Sequence, residues 1–247
     1  ALFIYALLVP ANIRVPIDGD EPFYLLMTES IVQDFDLDLA NQYGNQSRSA
    51  TGRTDLAPQL GDRVGARGEQ YSHHEPFLPL LLIPGYLVAG LTGAVATIAL
   101  FAALLVRSTI RFMEDEGIDE RTARAVFPLF AFGPPVVFYA ARIWPEVPGA
   151  FFFVEALRAM RHRRTAKAAG ALAGLCALKL RFALLAVPLL LRNRPGLAAV
   201  VISMFVIGGV IAGPLSLDPR DYLNGLFGLL IHGASGMLFQ APFLLLG

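Results

Sequence analysis

Residues 91–110 read LTGAVATIALFAALLVRSTI, an apolar run in which Arg107 is the only charged residue. The hydrocarbon core of a bilayer is about 30 Å thick, and roughly 20 apolar residues in a helix cross it. The run therefore predicts a membrane-spanning helix. The whole chain has the same bias, because 55% of its 247 residues are hydrophobic and only 16% are charged. Charged residues make up about a quarter of soluble domains, so this composition argues against an ordinary water-soluble protein.

Further apolar runs predict more crossings, and together they indicate an all-α integral membrane protein, a polytopic helical bundle. The predicted crossings are the end of a span at 1–10, spans at 91–110, 123–141 and 197–217, a shorter span at 147–160, and the start of another at 238–246. Because the first and last runs are cut, we expect residues 1–247 to be a single transmembrane region, truncated at both ends, of a longer protein.

The distribution of charge predicts how the chain is oriented. The 20 basic and 20 acidic side chains cancel, which gives no indication of nucleic-acid binding, and the single cysteine excludes an internal disulfide. Basic residues mark the cytoplasmic side of short loops. Eleven of them lie in three connections, which we therefore place inside: 107–124, 158–167 and 192–194.

With that orientation, residues 168–191 must leave from the inner side and return to it. They can do so as two half-length helices that meet near Lys179 and Arg181. If the stretch were instead one complete crossing, Arg192 and Arg194 would lie outside.

Residues 18–76 form the predicted outer loop, which holds 11 of the 20 acidic residues. A polar loop of this length is usually functional or disordered. Its first part, 20–41, has Pro22 in a first helical turn and an apolar stripe that suits a helix on the membrane surface. Its middle, 44–70, is expected to be irregular, and the apolar run 77–88 is expected to be interfacial or re-entrant.

Two acidic motifs in outer segments are candidates for chemistry. In Asp18-Gly19-Asp20-Glu21-Pro22, adjacent carboxylates could take a proton from a hydroxyl or hold a divalent cation, although a simple acidic helix N-terminus explains them too. Glu146 lies between prolines in a second outer segment, where a solvated turn acid is the plain alternative. Two acids from separate outer segments make a site more plausible than one.

Lys179 and Arg181 interrupt an otherwise apolar stretch. Charges inside membrane segments are costly and tend to be functional, and a cation near the outer face would suit an anionic phosphate. A snorkelling pair at a helix end is the alternative. Asp34, Asp36 and Asp38 are expected to be surface acids. His73 and His74 are adjacent and lack the spacing of zinc ligands, so a polar loop end is favoured there and no metal site is predicted.

The order of these motifs resembles the membrane-embedded GT-C glycosyltransferases, and within them the group of protein mannosyltransferases and aminoarabinose transferases. The likeness covers nearly the whole chain and is carried by Gly19-Asp20-Glu21-Pro22-x-Tyr24-Leu25-Leu26, Asp34-Phe35-Asp36-Leu37-Asp38-Leu39, His74-Glu75-Pro76-Phe77-Leu78-Pro79-Leu80-Leu81, Trp144-Pro145-Glu146-Val147-Pro148, Leu178-Lys179-Leu180-Arg181-Phe182 and Gly225-Leu226-Phe227-Gly228-Leu229-Leu230. His74-Glu75-Pro76 departs from the family's more usual basic or His-Pro-Pro sequence.

The resemblance implies an enzyme that moves a hexosyl or pentosyl group from a polyprenyl-phosphate carrier to a protein or lipid acceptor, usually with inversion. It implies a multi-pass protein of the cell membrane, in contact with lipid, with its active site on the outer face. The expected roles are Asp20 as general base with Glu21 as its companion, Glu146 as a second acid, and Lys179, Arg181, Tyr24 and His74 in substrate binding. Carboxylates are expected on the acceptor side and cations on the carrier side.

Two other classes of function remain open from the sequence. A polytopic transporter or flippase for a lipid-linked or anionic solute would use the same intramembrane cations, but it has no need for a large acidic outer loop. A noncatalytic membrane scaffold is disfavoured by those cations.

Overall fold

The computed structural model describes residues 2–13, 16–44, 51, 56–64 and 68–192, all of which belong to one compact unit, Ala1–Ile211. The expected crossings at 197–217 and 238–246 lie outside the described residues, as does the motif at 225–230. The described residues are mostly helical, as the composition predicts.

The elements follow one another along the chain, with a short 3₁₀ turn, Leu180–Phe182, between the last two helices. They are α1 Leu2–Asn12, α2 Glu21–Gln33, α3 Ala40–Gly44, β1 Leu60–Val64, β2 Gln70–Ser72, α4 Phe77–Asp115, α5 Glu120–Phe132, α6 Val136–Tyr139, α7 Glu146–Arg161, α8 Thr165–Leu178 and α9 Ala183–Arg192.

The two strands form an antiparallel hairpin in which Leu60 faces Ser72 and Val64 faces Gln70. The segment 44–70, expected to be irregular, therefore contributes β structure. The hairpin is tied back to the start of the outer loop, because Asp38 accepts a hydrogen bond from the Gln70 amide (2.7 Å) and the Leu39 amide donates to the Gln70 carbonyl (2.8 Å).

Helix α4 consists of two arms, residues 77–88 and 91–115, because Ala89 and Gly90 leave the helical conformation and Gly90 has a φ of +55°. A Cβ on Gly93 would lie 1.8 Å from the Gly85 carbonyl oxygen, so the two arms touch there. In a straight helix, residues eight apart are separated by about 12 Å. The chain therefore turns back sharply at this point, which separates the apolar run 77–88 from the predicted span.

Among the described residues, α4 is the one helix long and apolar enough to cross a membrane. Its second arm extends over about 37 Å at 1.5 Å per residue, which exceeds a bilayer core of about 30 Å. Helix α7 matches the shorter predicted span, 147–160, but covers only about 24 Å on the same scale.

The predicted span at 123–141 is not a continuous helix. Helix α5 ends at Phe132, and α6 covers only Val136–Tyr139. Pro134 and Pro135 lie between them, and proline has no N–H to continue the helical hydrogen bonds. At about 20 Å, α5 alone is shorter than a bilayer core.

The helical hairpin expected near Lys179 and Arg181 is present. Helix α8 ends at Leu178, Lys179 is extended (φ −160°, ψ 127°), and the 3₁₀ turn leads into α9. Leu189 of α9 lines the same cleft as Thr165 and Ala168 at the start of α8, so the second helix returns alongside the first. The position of this hairpin in a membrane stays a prediction.

Helix α2 confirms a helix with Pro22 in its first turn, although it ends at Gln33 and every residue from 21 to 30 is buried. A helix lying on a membrane surface would expose one face. Tyr24 and Leu25 instead pack into the main core with Tyr5, while Leu26 and Met27 pack into a second cluster under the outer loop. The protein itself covers both faces of this helix.

An ionic network centred on the buried Glu155 joins α4, α7 and α8 at the end away from Lys179. Glu155 accepts a hydrogen bond from Ser108 (2.6 Å) and pairs with Arg158 (3.0 Å) and Lys167 (2.5 Å). Lys167 and Lys179 lie near opposite ends of α8, about 18 Å apart along the axis. The polar side chains around these helices thus collect in two separate clusters.

Candidate functional site

The core of the candidate site is an ion pair between Asp20 and Lys179. The Lys179 Nζ lies 3.3 Å from the Asp20 Oδ2, although the two residues are 159 positions apart in the chain. Asp20 is the residue before α2, and Lys179 is the residue after α8. The Asp20 side chain keeps 28% of its surface exposed and Lys179 keeps 14%, so both remain partly accessible.

Tyr24 lies one helical turn after Asp20 and faces the same lysine. Its hydroxyl is 3.4 Å from the Lys179 Nζ, and its ring is fully buried. Burial raises the pKa of the Tyr24 phenol, and the carboxylates of Glu75, Asp20 and Glu146 act in the same direction because they disfavour a second anion. Tyr24 is therefore a neutral hydrogen-bonding group at physiological pH.

His74 completes the cluster from the outer loop. Its side chain is 3% exposed, and its Nδ1 lies 3.9 Å from the Asp20 Oδ2. Its Nε2 is 3.2 Å from the Gln59 Oε1, and its ring packs against Phe23 and Tyr24. Burial lowers the pKa of His74 to about 4, with smaller contributions in the same direction from His73 and Lys179. The neutral ring is therefore buried beside Asp20, where the sequence favours a polar loop end.

A second ion pair lies nearby, between Glu146 and Arg181. The Arg181 guanidinium is 2.9 Å from the Glu146 Oε1, and about half of the arginine side chain is exposed. Glu146 is in the first turn of α7. Its Oε2 is buried and accepts no hydrogen bond from the part of the chain that the structure describes.

Glu21 has a different environment from its neighbour Asp20. Its side chain is 2% exposed, pairs with Arg142 at 2.6 Å, and accepts hydrogen bonds from the amides of Ile143 (2.7 Å) and Asp18 (3.1 Å). Burial raises the pKa of Glu21, while these amides and Arg142 oppose the rise. Both oxygens of Glu21 are thus used to join the start of α2 to the turn before α7.

The turn before Asp20 is covered by Trp144, the only tryptophan of the chain. Gly19 has a φ of +59°, and a Cβ at this position would lie 2.8 Å from the Trp144 Cζ2. Glycine is needed twice here, for the left-handed backbone and for the close approach of the indole. Glu21 and Trp144 together hold the Asp20 turn against residues 142–144.

The structure brings together the seven residues that the sequence selects, and each charged one among them forms an ion pair. Carboxylates were expected on one side and cations on the other, whereas Asp20 pairs with Lys179 and Glu146 pairs with Arg181. Opposite charges attract in a partly buried site, so the pairs form. Two further residues contact the site without having been selected from the sequence: Arg142, which pairs with Glu21, and Gln59, which contacts His74. Arg142 could have been selected as the cation beside the outer motif at 144–148.

The predicted surface acids serve the loop itself. Asp36 accepts a hydrogen bond from Ser30 (2.8 Å), and Asp34 accepts one from Asn41 (2.8 Å). In the described ranges, no group of three or more His, Cys, Asp and Glu side chains is placed to hold a metal ion.

No family model, curated protein or solved structure matches this chain.

Proposed function

We propose that this chain is a membrane glycosyltransferase that moves a hexosyl or pentosyl group from a polyprenyl-phosphate carrier to a protein or lipid acceptor. The observation that carries the proposal is the 3.3 Å contact between Asp20 and Lys179. This contact joins the first acidic motif to the Lys179 turn. The resemblance to GT-C glycosyltransferases assigns the general base to the first of these motifs and the phosphate site to the second. A proton acceptor and a phosphate-binding cation in one partly exposed cluster suit transfer from a phosphate leaving group.

Asp20 acts on the acceptor in this mechanism. The acceptor hydroxyl attacks the anomeric carbon, and its proton passes to Asp20. The bond from that carbon to the phosphate oxygen breaks, and its electron pair stays on the phosphate oxygen. Asp20 is suited to this role because its side chain is 28% exposed, whereas Glu21 is 2% exposed with both oxygens engaged. Glu21 therefore acts as a positioning residue that holds Asp20 in place through Arg142 and the backbone.

Lys179 and Arg181 act on the carrier. The leaving polyprenyl phosphate gains negative charge as the glycosidic bond breaks, and cations placed beside it stabilise that charge more in the transition state than in the bound donor. Both cations are paired with carboxylates in the structure. A carrier phosphate would take over these cations, which releases Asp20 for the acceptor hydroxyl and leaves Glu146 to orient the sugar or the acceptor.

Tyr24 and His74 support the two charged partners. The Tyr24 hydroxyl lies 3.4 Å from Lys179 and can donate to a phosphate oxygen that the lysine binds. The neutral His74 ring lies 3.9 Å from Asp20 and packs against Tyr24, so it restricts the positions that the carboxylate can take.

The proposed enzyme is a membrane protein, and α4 is the helix that supports a membrane crossing. A multi-pass protein in the cell membrane, with the Asp20 cluster on the outer face, is consistent with the separation of the two polar clusters along α8. Basic residues such as Arg158, Arg161 and Lys167 collect at the end away from Asp20. By the positive-inside preference that end faces the cytoplasm.

The test is incubation of the full chain with candidate polyprenyl-phosphate sugars and acceptors, with release of polyprenyl phosphate as the readout. Asp20→Asn should abolish release while donor binding remains. Asp18→Asn is the matched control, because Asp18 is exposed and an asparagine can still accept the hydrogen bond that its Oδ1 takes from the Gly19 amide (2.7 Å). Turnover near the wild-type rate in Asp20→Asn would exclude Asp20 as the base.

Donor binding tests the cationic half of the site. Lys179→Ala combined with Arg181→Ala should weaken binding of the polyprenyl-phosphate donor. The control pair, Arg163→Ala with Arg164→Ala, removes two exposed charges at the other end of α8 and should not. Equal donor affinity in all three proteins would refute the phosphate assignment. Movement of intact lipid-linked sugar across vesicles without release of polyprenyl phosphate would favour a flippase instead.

A further inference from the structure

A groove between the second arm of α4 and helix α5 joins apolar walls to three charged side chains. It has a volume of about 410 Å³, and its apolar walls are Ala103, Val106, Ile110 and Phe127. Arg107, Arg111 and Glu114 line the rest of it. It lies at the basic end of the helices, away from the Asp20 cluster.

The three charged residues of the groove lie on one face of α4, because spacings of four and three residues place side chains on the same side of a helix. Among the described residues no acidic side chain forms an ion pair with Arg107 or Arg111, and no basic side chain forms one with Glu114. On another side of the same helix end, Asp115 and Glu116 pair with arginines of α7. The groove is thus a place where opposite charges remain available to a ligand.

The depth of the arginines fits the boundary between hydrocarbon and water. Counted from residue 91, Arg107 lies about 24 Å and Arg111 about 30 Å along the axis, close to the thickness of a bilayer core. Leu100 and Leu129 on the same two helices are 46% and 76% exposed. These leucines can pack against acyl chains where α4 crosses a bilayer.

We propose that this groove binds a phospholipid with a phosphoethanolamine headgroup from the inner leaflet. Arg107 and Arg111 hold the phosphate, Glu114 accepts from the primary ammonium about one turn further from the hydrocarbon, and an acyl chain lies against Phe127 and Ile110. A headgroup with phosphate alone would satisfy the arginines but would be repelled by Glu114. This inference rests on α4 crossing a membrane and is independent of the proposed sugar transfer.

The test measures lipid bound to the full chain in detergent micelles by native mass spectrometry, with phosphatidylethanolamine, phosphatidylglycerol or phosphatidylcholine added at equal concentration. The wild-type protein should prefer phosphatidylethanolamine. Arg107→Gln with Arg111→Gln should weaken its binding by roughly fivefold for each arginine, the scale of basic contacts with lipid headgroups at a membrane surface. The control pair, Arg121→Gln with Arg124→Gln on α5, should leave binding unchanged.

Glu114→Gln is the more specific test of the headgroup. It should weaken phosphatidylethanolamine and strengthen phosphatidylglycerol, so that the preference reverses. A wild-type preference for phosphatidylglycerol or phosphatidylcholine, an unchanged preference in Glu114→Gln, or an equal loss in the control pair would each overturn the proposal. Soluble glycerophosphoethanolamine should not compete at the same concentration; if it does, the apolar wall has no role and the lipid assignment fails.

Discussion

Gly19→Ala tests whether the Asp20 turn depends on the indole of Trp144. The new side chain must adopt a φ of +59°, and its Cβ must lie 2.8 Å from the Trp144 Cζ2 unless the ring moves. The left-handed backbone costs an L-residue about 1–2 kcal/mol. Overpacking against a ring costs about 1–3 kcal/mol more. The free energy of unfolding should therefore fall by about 2–5 kcal/mol.

Gly117→Ala separates these two contributions. Gly117 also has a left-handed backbone, with a φ of +84°, but nothing lies within 4 Å of the position of its Cβ. It should lose only the backbone part, about 1–2 kcal/mol. The difference between the two variants, about 1–3 kcal/mol, then reports the contact with Trp144.

The measurement is urea unfolding of the purified protein in detergent micelles, followed by tryptophan fluorescence. Because the chain has one tryptophan, the signal comes from Trp144 alone. The native emission of Gly19→Ala should also shift, and its sugar transfer should fall because Asp20 moves relative to Lys179. If Gly19→Ala loses no more stability than Gly117→Ala and keeps the wild-type emission, the indole does not restrain this turn.

Three other predictions concern buried charges and helix composition. The free energy of unfolding should fall by roughly 3 kcal/mol between pH 6.5 and pH 4. The reason is that His74 has a lowered pKa in the folded protein, so the unfolded chain binds a proton at a higher pH than the folded protein does. Unfolding measured over this pH range should show that the loss disappears in His74→Gln. A double-mutant cycle of Glu21→Gln and Arg142→Met should give a favourable coupling of about 1–3 kcal/mol, and additive effects would exclude the ion pair. Gly170→Ala should stabilise α8 by about 1 kcal/mol in thermal unfolding, since its Cβ meets nothing, whereas Gly174→Ala should gain less because a phenylalanine ring lies 3.1 Å away.

Much of the helical framework could be predicted because helix formation depends on neighbours close in the chain. The run 91–110 lies within α4, the helix after Pro22 is present, and the break at Lys179 separates two helices as expected. The run 123–141 is not one continuous helix, because Pro134 and Pro135 interrupt it, an effect that is local in the sequence.

The candidate site could be predicted only as a set of residue types. Asp20, Glu21, Glu146, Lys179 and Arg181 are conspicuous because charge is rare in this chain. Their partners were not readable, because a pair such as Asp20 with Lys179 forms only when distant helices pack. Only the family resemblance distinguished Asp20 from Glu21, since adjacent acids in a motif look alike until burial separates them.

Composition and local spacing therefore determined that this protein is mostly helical, that α4 is suited to a bilayer, and that its polar chemistry is confined to a few short segments. Tertiary structure alone decided that α2 is buried on both faces, that His74 is a buried neutral ring beside Asp20, and that each candidate carboxylate is paired with a cation or held by the backbone. The physical reason is that burial and long-range pairing arise from the packing of whole helices, which no local pattern of residues encodes.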